Sequence, residues 1–298
     1  MLWTPQNQFN WSVNNFGATY TDAGIGVTSP GHANANTKGA NTSQLVGIAQ
    51  DCYGMAIGFA SGSTSATIYR NLVDILIDPA AGVGNAGSTW SVLINNLYCA
   101  YASLGCGAYW YYFPLYLKAG TAIGSANQSN VAGKDIHLMI NICGKPTKPE
   151  LLHCGTKVET YGAVTGTTTG TAITPGTNLL GSGSGDGWGS SFGTSSYAQF
   201  WWQAGIGYND TTIGGGTSIS EATFLDVGVS TDAGTTKTVC AEHIKANFST
   251  TEQGGKDAFG CFIPYKNMPS GATIYVRGAA TIAPNTSPTA VVYGVGGG

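Results

Sequence analysis

Charge is scarce in this sequence. Lys, Arg, Asp and Glu make up 9% of its 298 residues, against roughly 25% in an average soluble protein. The 12 Lys and Arg are scattered and the formal net charge is −3. No basic run exists to neutralise phosphates, which argues against nucleic acid as a partner. No stretch reaches the about 18 consecutive apolar residues of a membrane span, so no membrane is expected. The start, Met1-Leu2-Trp3-Thr4-Pro5-Gln6-Asn7-Gln8, lacks the basic segment and apolar run of a secretory leader. That start reads as synthesis in a cytoplasm, or as a mature form with an added start codon.

Recognisable catalytic and metal motifs are equally thin. The cysteines show no CxxC spacing, and His32, His137, His153 and His243 share no i, i+2 or i, i+4 relation, so no metal site is expected. The run Gly181-Ser182-Gly183-Ser184-Gly185-Asp186-Gly187-Trp188-Gly189 lacks the Lys-Ser/Thr ending of a phosphate-binding loop and reads as a surface loop. No cofactor is expected. Gly189-Ser190-Ser191-Phe192-Gly193 matches the nucleophile-elbow pattern literally, but no apolar strand precedes it and no helix follows, so it reads as chance. Asp74 with Asp78, and Asp226 with Asp232, read as turn aspartates. Glycoside hydrolysis would need two carboxylates about 5–10 Å apart in a cleft. The chain is read as not being an enzyme.

What is present is glycine and aromatic surface: 45 Gly, with 7 Trp, 15 Tyr and 10 Phe. Disordered chains are poor in aromatics, so this one is folded, β-rich and turn-rich. A Ser/Thr/Asn/Gly exterior suits packing into an assembly, and equally suits a secreted β-protein. The pattern is also stated twice. Gly17-Ala18 and Pro30-Gly31 recur as Gly162-Ala163 and Pro175-Gly176, 145 residues on. Phe113-Pro114 with Ala119-Gly120-Thr121-Ala122-Ile123 is echoed by Ile263-Pro264 with Ser270-Gly271-Ala272-Thr273-Ile274. Each half closes on an alternating strand, 136–142 and 289–295.

The expected fold is all-β: two tandem jelly-roll-like β-sandwich domains from an internal duplication, with an N-terminal arm. Residues 1–15 form the arm, 16–144 the first sandwich, 145–160 a linker containing Pro146 and Pro149, and 161–298 the second sandwich. Eight runs rich in β-branched and aromatic residues are legible in the first half: 43–50, 54–59, 65–69, 72–77, 91–100, 109–117, 122–126 and 135–142. A helical turn is also open at Asn71-Leu72-Val73-Asp74. In the second half the runs are 197–205, 218–230, 237–248, 258–265 and 273–278. Eight strands per half fit a jelly roll. The arm and the Gly-rich loop have no visible counterpart in the other half.

Trp110-Tyr111-Tyr112-Phe113 and Phe200-Trp201-Trp202 put rings on both faces of their strands. One face fills a core; the other needs a neighbouring domain, a subunit, a loop or a stacked sugar. Trp3, Trp11, Trp110, Trp201 and Trp202 are therefore the candidate contact residues. Seven cysteines leave at least one without an intrachain partner. Cys99 with Cys106, Cys143 with Cys154, and Cys240 with Cys261 are candidate bridges, and Cys52 is the candidate free or intermolecular thiol. Buried thiols in a reducing compartment are the alternative.

The block Asp226-Val227-Gly228-Val229, Val239 to Ile244, Phe262-Ile263-Pro264-Tyr265 and Ser270-Gly271-Ala272-Thr273-Ile274 resembles a pattern in structural proteins of tailed bacteriophages. Phe113-Pro114-Leu115-Tyr116-Leu117-Lys118-Ala119-Gly120-Thr121-Ala122-Ile123 resembles the same pattern's Phe-Pro-Ile-Tyr-Ile-Pro-Ala-Gly-Thr-Arg-Ile-like segment, with Lys118 for the proline and Ala122 for the arginine. The resemblance implies a β-sandwich virion protein: capsid decoration or cement, head fibre or tail part. Expected partners are a major capsid protein or other virion proteins and further copies of the chain, a trimer being one option. The location implied is the virion, assembled in the host cytoplasm. A carbohydrate- or receptor-binding module is the alternative.

Overall fold

The computed structural model describes residues 9–11, 27–61, 69–101, 109–146, 154–173, 187–208, 220–249, 268–280 and 288–297. Nine strands build the first half: β1 (Phe9–Trp11), β2 (Val27–Ser29), β3 (Thr42–Leu45), β4 (Gly54–Ser61), β5 (Tyr69–Asp78), β6 (Ser91–Tyr101), β7 (Tyr109–Phe113), β8 (Ala122–Ser129) and β9 (Ile136–Pro146). One sheet runs β1-β9-β4-β7, with β2 also paired to β9; the facing sheet runs β3-β8-β5-β6. This interleaving of near and far strands between two antiparallel sheets is the jelly-roll connection.

The second half repeats it with β10 (Lys157–Tyr161), β11 (Ala163–Val164), β12 (Thr169–Ala172), β13 (Gly193–Thr194), β14 (Gln199–Tyr208), β15 (Ser220–Ser230), β16 (Thr238–Ser249), β17 (Thr273–Ala280) and β18 (Pro288–Gly296). Its sheets are β10-β18-β12-β11, with β14 also on β18, and β13-β17-β15-β16. Thus β9 matches β18, β4 matches β14, and β3-β8-β5-β6 matches β13-β17-β15-β16. The counterpart of β7 is the expected strand 258–265, which lies outside the described residues.

Several boundaries differ from the sequence reading. The run 72–77 and the helical turn open at 71–74 give way to strand β5, which begins at Tyr69; the rest of the run 65–69 lies outside the described residues. In β5, Tyr69, Leu72, Val73, Ile75 and Leu76 are all buried, and pairing with β6 and β8 on both sides overrides any local turn. Strand β7 stops at Phe113 because Pro114 has no N–H for the ladder; beyond it, Leu115 and Leu117 make only isolated bridges, to Gly155 and Cys52. The arm is not separate from the sandwich at residues 9–11. Strand β1 pairs with the end of β9, Trp11 opposite Cys143, as β10 pairs with the end of β18. Strands also occupy both ends of the segment expected as a linker.

Strand β9 has the alternation of a sheet buried on one face. Ile136, Leu138, Ile140 and Ile142 are buried, while His137, Met139 and Asn141 are half-buried. Strand β18 is buried on both. Ala290 and Val292 join Trp202, Ile206, Val227 and Ile274 in the second sandwich's core. Val291, Tyr293 and Val295 point the other way, into the cluster that holds Tyr98, Tyr111 and Phe113 of the first sandwich. The second half's β10-β18-β14 sheet is therefore the middle layer between two cores.

Candidate interaction surfaces

The seam between the sandwiches is built on Tyr293. Its hydroxyl accepts the Tyr98 N–H (2.7 Å) and donates to the Asn96 carbonyl (3.0 Å). Its ring meets Tyr111 and Phe113 edge-on, at 5.6 and 5.9 Å. The Tyr98 and Thr289 hydroxyls share a 2.8 Å hydrogen bond, and the Tyr111 hydroxyl donates to the Tyr98 carbonyl. Burial pushes the Tyr98 and Tyr293 phenols above their ordinary range, so both stay neutral donors. Gly205 and Gly207 of β14 let these rings approach: a methyl at either would land on the Tyr111 or the Tyr98 hydroxyl.

Polar pairs frame the seam. The Tyr112 N–H donates to Gln203 Oε1 (2.9 Å), Gln128 Nε2 to the Thr165 carbonyl (2.5 Å) and Thr168 Oγ1 (2.9 Å), and Thr168 Oγ1 to Asn36 Oδ1 (2.8 Å). Thr168 and Asn36 both have positive φ, 50° and 56°. That conformation is unfavourable for the β-branched Thr168 and well tolerated by Asn, and the two residues face each other across the seam.

The expected contact residues divide accordingly. Trp201 packs edge-on against Tyr112 at 5.6 Å, inside the seam. Trp202 is 2% exposed, in the second core, and its Nε1 donates to Gln199 Oε1 (3.0 Å). Neither is an outward-facing contact: the first sandwich of the same chain covers Trp201, and the second sandwich's own core takes Trp202. Trp110 stands opposite Gly58 on β7 and Trp11 opposite Cys143 on β1; their side chains, and all of Trp3, lie outside the described residues. Tyr98 and Tyr293, which carry the seam, were not singled out by sequence. The signal for Tyr293 was there: 290–295 is small or apolar at both parities, as in a strand covered on both faces.

Two of the cysteine expectations are corrected. Cys154 and Cys240 are thiols, so the candidate bridges Cys143–Cys154 and Cys240–Cys261 do not form. Cys99 is fully buried. Cys154 donates to the Tyr53 carbonyl (3.1 Å) and Cys240 to that of Thr238 (3.4 Å); burial pushes these two thiols up to about 11 and about 12. Cys52, the candidate free or intermolecular thiol, is 0% exposed and donates to the Gly54 carbonyl, so it offers no surface to another chain. Cys106 and Cys261 lie outside the described residues, as does the Cys143 side chain.

The carboxylates serve the chain's own donors. Asp78 accepts the N–H groups of Ala80, Ser88 and Thr89, which lower its pKa. Asp232 accepts from Ser230 Oγ and the Thr236 N–H, which hold its pKa near about 2. These two are turn aspartates as expected. Asp74 and Asp226 are not. Each sits in the middle strand where the register shifts against its neighbour, and each is neutralised: Asp74 by Lys38 (2.9 Å), Asp226 by Arg277 (2.9 Å). Burial lowers the Lys38 pKa against the opposing pull of Asp74. Glu159 accepts from Tyr161, Gln199 and Ser196, bracing β10 to the start of β14. His137 bonds Thr28 (2.9 Å), and burial lowers its pKa.

Outward-facing apolar side chains gather at one end of the first sandwich. Val46 (45% exposed), Val83 (59%), Val92 (54%) and Tyr116 (37%) lie on the β3–β4, β5–β6 and β7–β8 connections and the start of β6. Backbone bonds tie these connections together: Gly47 N–H to the Asn85 carbonyl, Gly82 N–H to that of Gly120, and Gly120 N–H to that of Ile48 (2.8–2.9 Å). The same end of the second sandwich is polar, with Ser195, Ser196, Asp232 and Ser270 bonded among themselves and to backbone. On the outer face of that sandwich the Trp188 ring lies over Gly228, whose register partner is Tyr275. Arg277 stacks on Trp188 (4.6 Å) and Lys237 on Tyr275 (5.2 Å).

No protein-family model matches the chain, and no curated protein does. Among solved structures it is similar to PNGF-II, at 10% identity and a TM-score of 0.39, over 92% of this chain and 66% of that one. It is also similar to the CBM22-1-CBM22-2 tandem domain of Paenibacillus barcinonensis Xyn10C, at 7% identity and 0.25, over 98% and 94%. The third is broad bean stain virus, at 8% identity and 0.27, over 99% and 92%. At these scores the likenesses decide nothing about this chain; its fold rests on its own strand order.

Proposed function

We propose that the chain is a non-enzymatic structural protein of a virion, a decoration or cement protein that binds a capsid shell and neighbouring copies. The observation that carries this reading is how its apolar surface is spent. The aromatic strands are used up in joining two sandwiches into one block, and the exposed valines are held on braced connections at one end. A rigid block with a sparsely charged exterior and one apolar end suits fixed docking in a lattice. The test is electron microscopy of intact particles together with their protein composition. Density for two fused jelly rolls on the head, first-sandwich end toward the shell, is expected. Absence of the chain from purified particles would sink the proposal.

Trp188 over Gly228 and Tyr275 opposite Gly228, each with a cation on its ring, support a second reading, a carbohydrate- or receptor-binding module, because rings beside cations on one sheet face can stack on a sugar. A glycan array with intact protein and a Trp188→Ala variant separates the two. Binding lost in the variant favours the module, and no binding by either favours the structural role.

A further inference from the structure

The first sandwich carries a polar cluster inside its core. Ser29, Gln44, Asn71, Ser125 and Asn127 are each 0% exposed. Gln44 Nε2 donates to Ser125 Oγ (2.9 Å), which donates to Ser29 Oγ (2.8 Å). Asn71 Nδ2 donates to Asn127 Oδ1 (2.7 Å), and Asn127 Nδ2 to the carbonyls of Ser29 (3.2 Å) and Lys134 (3.0 Å). Among the described residues, two of the cluster's oxygens have no donor: Gln44 Oε1 and Asn71 Oδ1. Buried acceptors are rarely left this way.

The duplication supplies an internal control. Asp74 pairs in register with Ala126 as Asp226 does with Arg277, so Ser125 matches Val276 and Asn127 matches Gly278. At that place in the second sandwich Ile173 and Leu225 close over Gly278 and Val276 is buried. The fold itself therefore does not require polar groups at the positions of Ser125 and Asn127.

We infer that the first sandwich has an internal hydration site, in which ordered water donates its hydrogens to Gln44 Oε1 and Asn71 Oδ1. Water matches the deficit, since both unmet groups are acceptors and a polar pocket with several partners retains it. A cation matches less well. Every cluster member is neutral, Val73 and Ile75 line the same side of β5, and an unpaired charge among them is costly to bury.

Neutron diffraction from crystals of the full chain tests this. Deuterated water about 2.7–3.0 Å from both oxygens, as one bridging molecule or two, is expected. In solution the Gln44 and Asn71 side-chain amide protons then show cross-relaxation with a long-lived water. Two dry oxygens would overturn the inference. So would a guest that gives anomalous signal after rubidium soaking and has five or more oxygen neighbours, because it would be an ion.

Discussion

The two sandwiches share one topology and differ in what their layers touch. In the first, the sheet containing β9 faces its core with one side. In the second, the equivalent sheet is buried on both sides, by its own partner sheet and by the first sandwich. The buried strand aspartates differ too. Asp226 is 2% exposed at its side chain and held by an arginine stacked on Trp188, whereas Asp74, at 12%, is held by a lysine. A duplicated scaffold has thus been specialised. The second copy forms the centre of the molecule, and the first supplies the covering edge and the apolar end.

The largest expected effect comes from breaking the shared layer. Tyr293→Ala removes a fully buried ring and two seam hydrogen bonds. It should cost about 3–5 kcal/mol in denaturant unfolding and split one transition into two. Next is the contrast between the aspartates. Arg277→Ala leaves Asp226 buried without its charge partner, for about 3–5 kcal/mol. Lys38→Ala should cost distinctly less, because Asp74 is more exposed and keeps the Asn96 N–H at 2.8 Å. Equal losses in matched urea titrations would contradict the distinction.

A smaller effect is expected at the glycines. Gly205→Ala pushes a methyl into the Tyr111 hydroxyl and should cost about 1–3 kcal/mol by overpacking, with loosened near-UV signals from the seam tyrosines. The smallest is a pH effect. Asp232 is held near about 2 in the fold against about 3.9 unfolded. Its contribution is present above the unfolded value and is lost as pH falls through the folded one. A carboxyl NMR titration should give a midpoint near 2, moving toward the ordinary value in Ser230→Ala.

Much of this was legible. The alternation in 136–142, the turn residues and the doubling of the pattern led to two all-β sandwiches. What stayed hidden depends on distant partners. Strands β2, β10 and β12 are too short to show a period, and exist because β9 and β18 offer an edge. The rings of 110–113 and 200–202 did announce a covered surface. Nothing local to Trp201 could say that the cover was Tyr112 of the same chain. The cysteine spacings suited bridges, but pairing needs Cα atoms within about 7 Å and converging side chains, which sequence separation does not report.

The central claim is that the shared aromatic layer makes the two sandwiches one cooperative block. Equilibrium unfolding in urea, followed in parallel by far-UV circular dichroism and tryptophan fluorescence, tests it most directly. One transition with coincident midpoints is predicted, with a slope proportionate to a chain of 298 residues. Two separated transitions in the unmodified protein would contradict it.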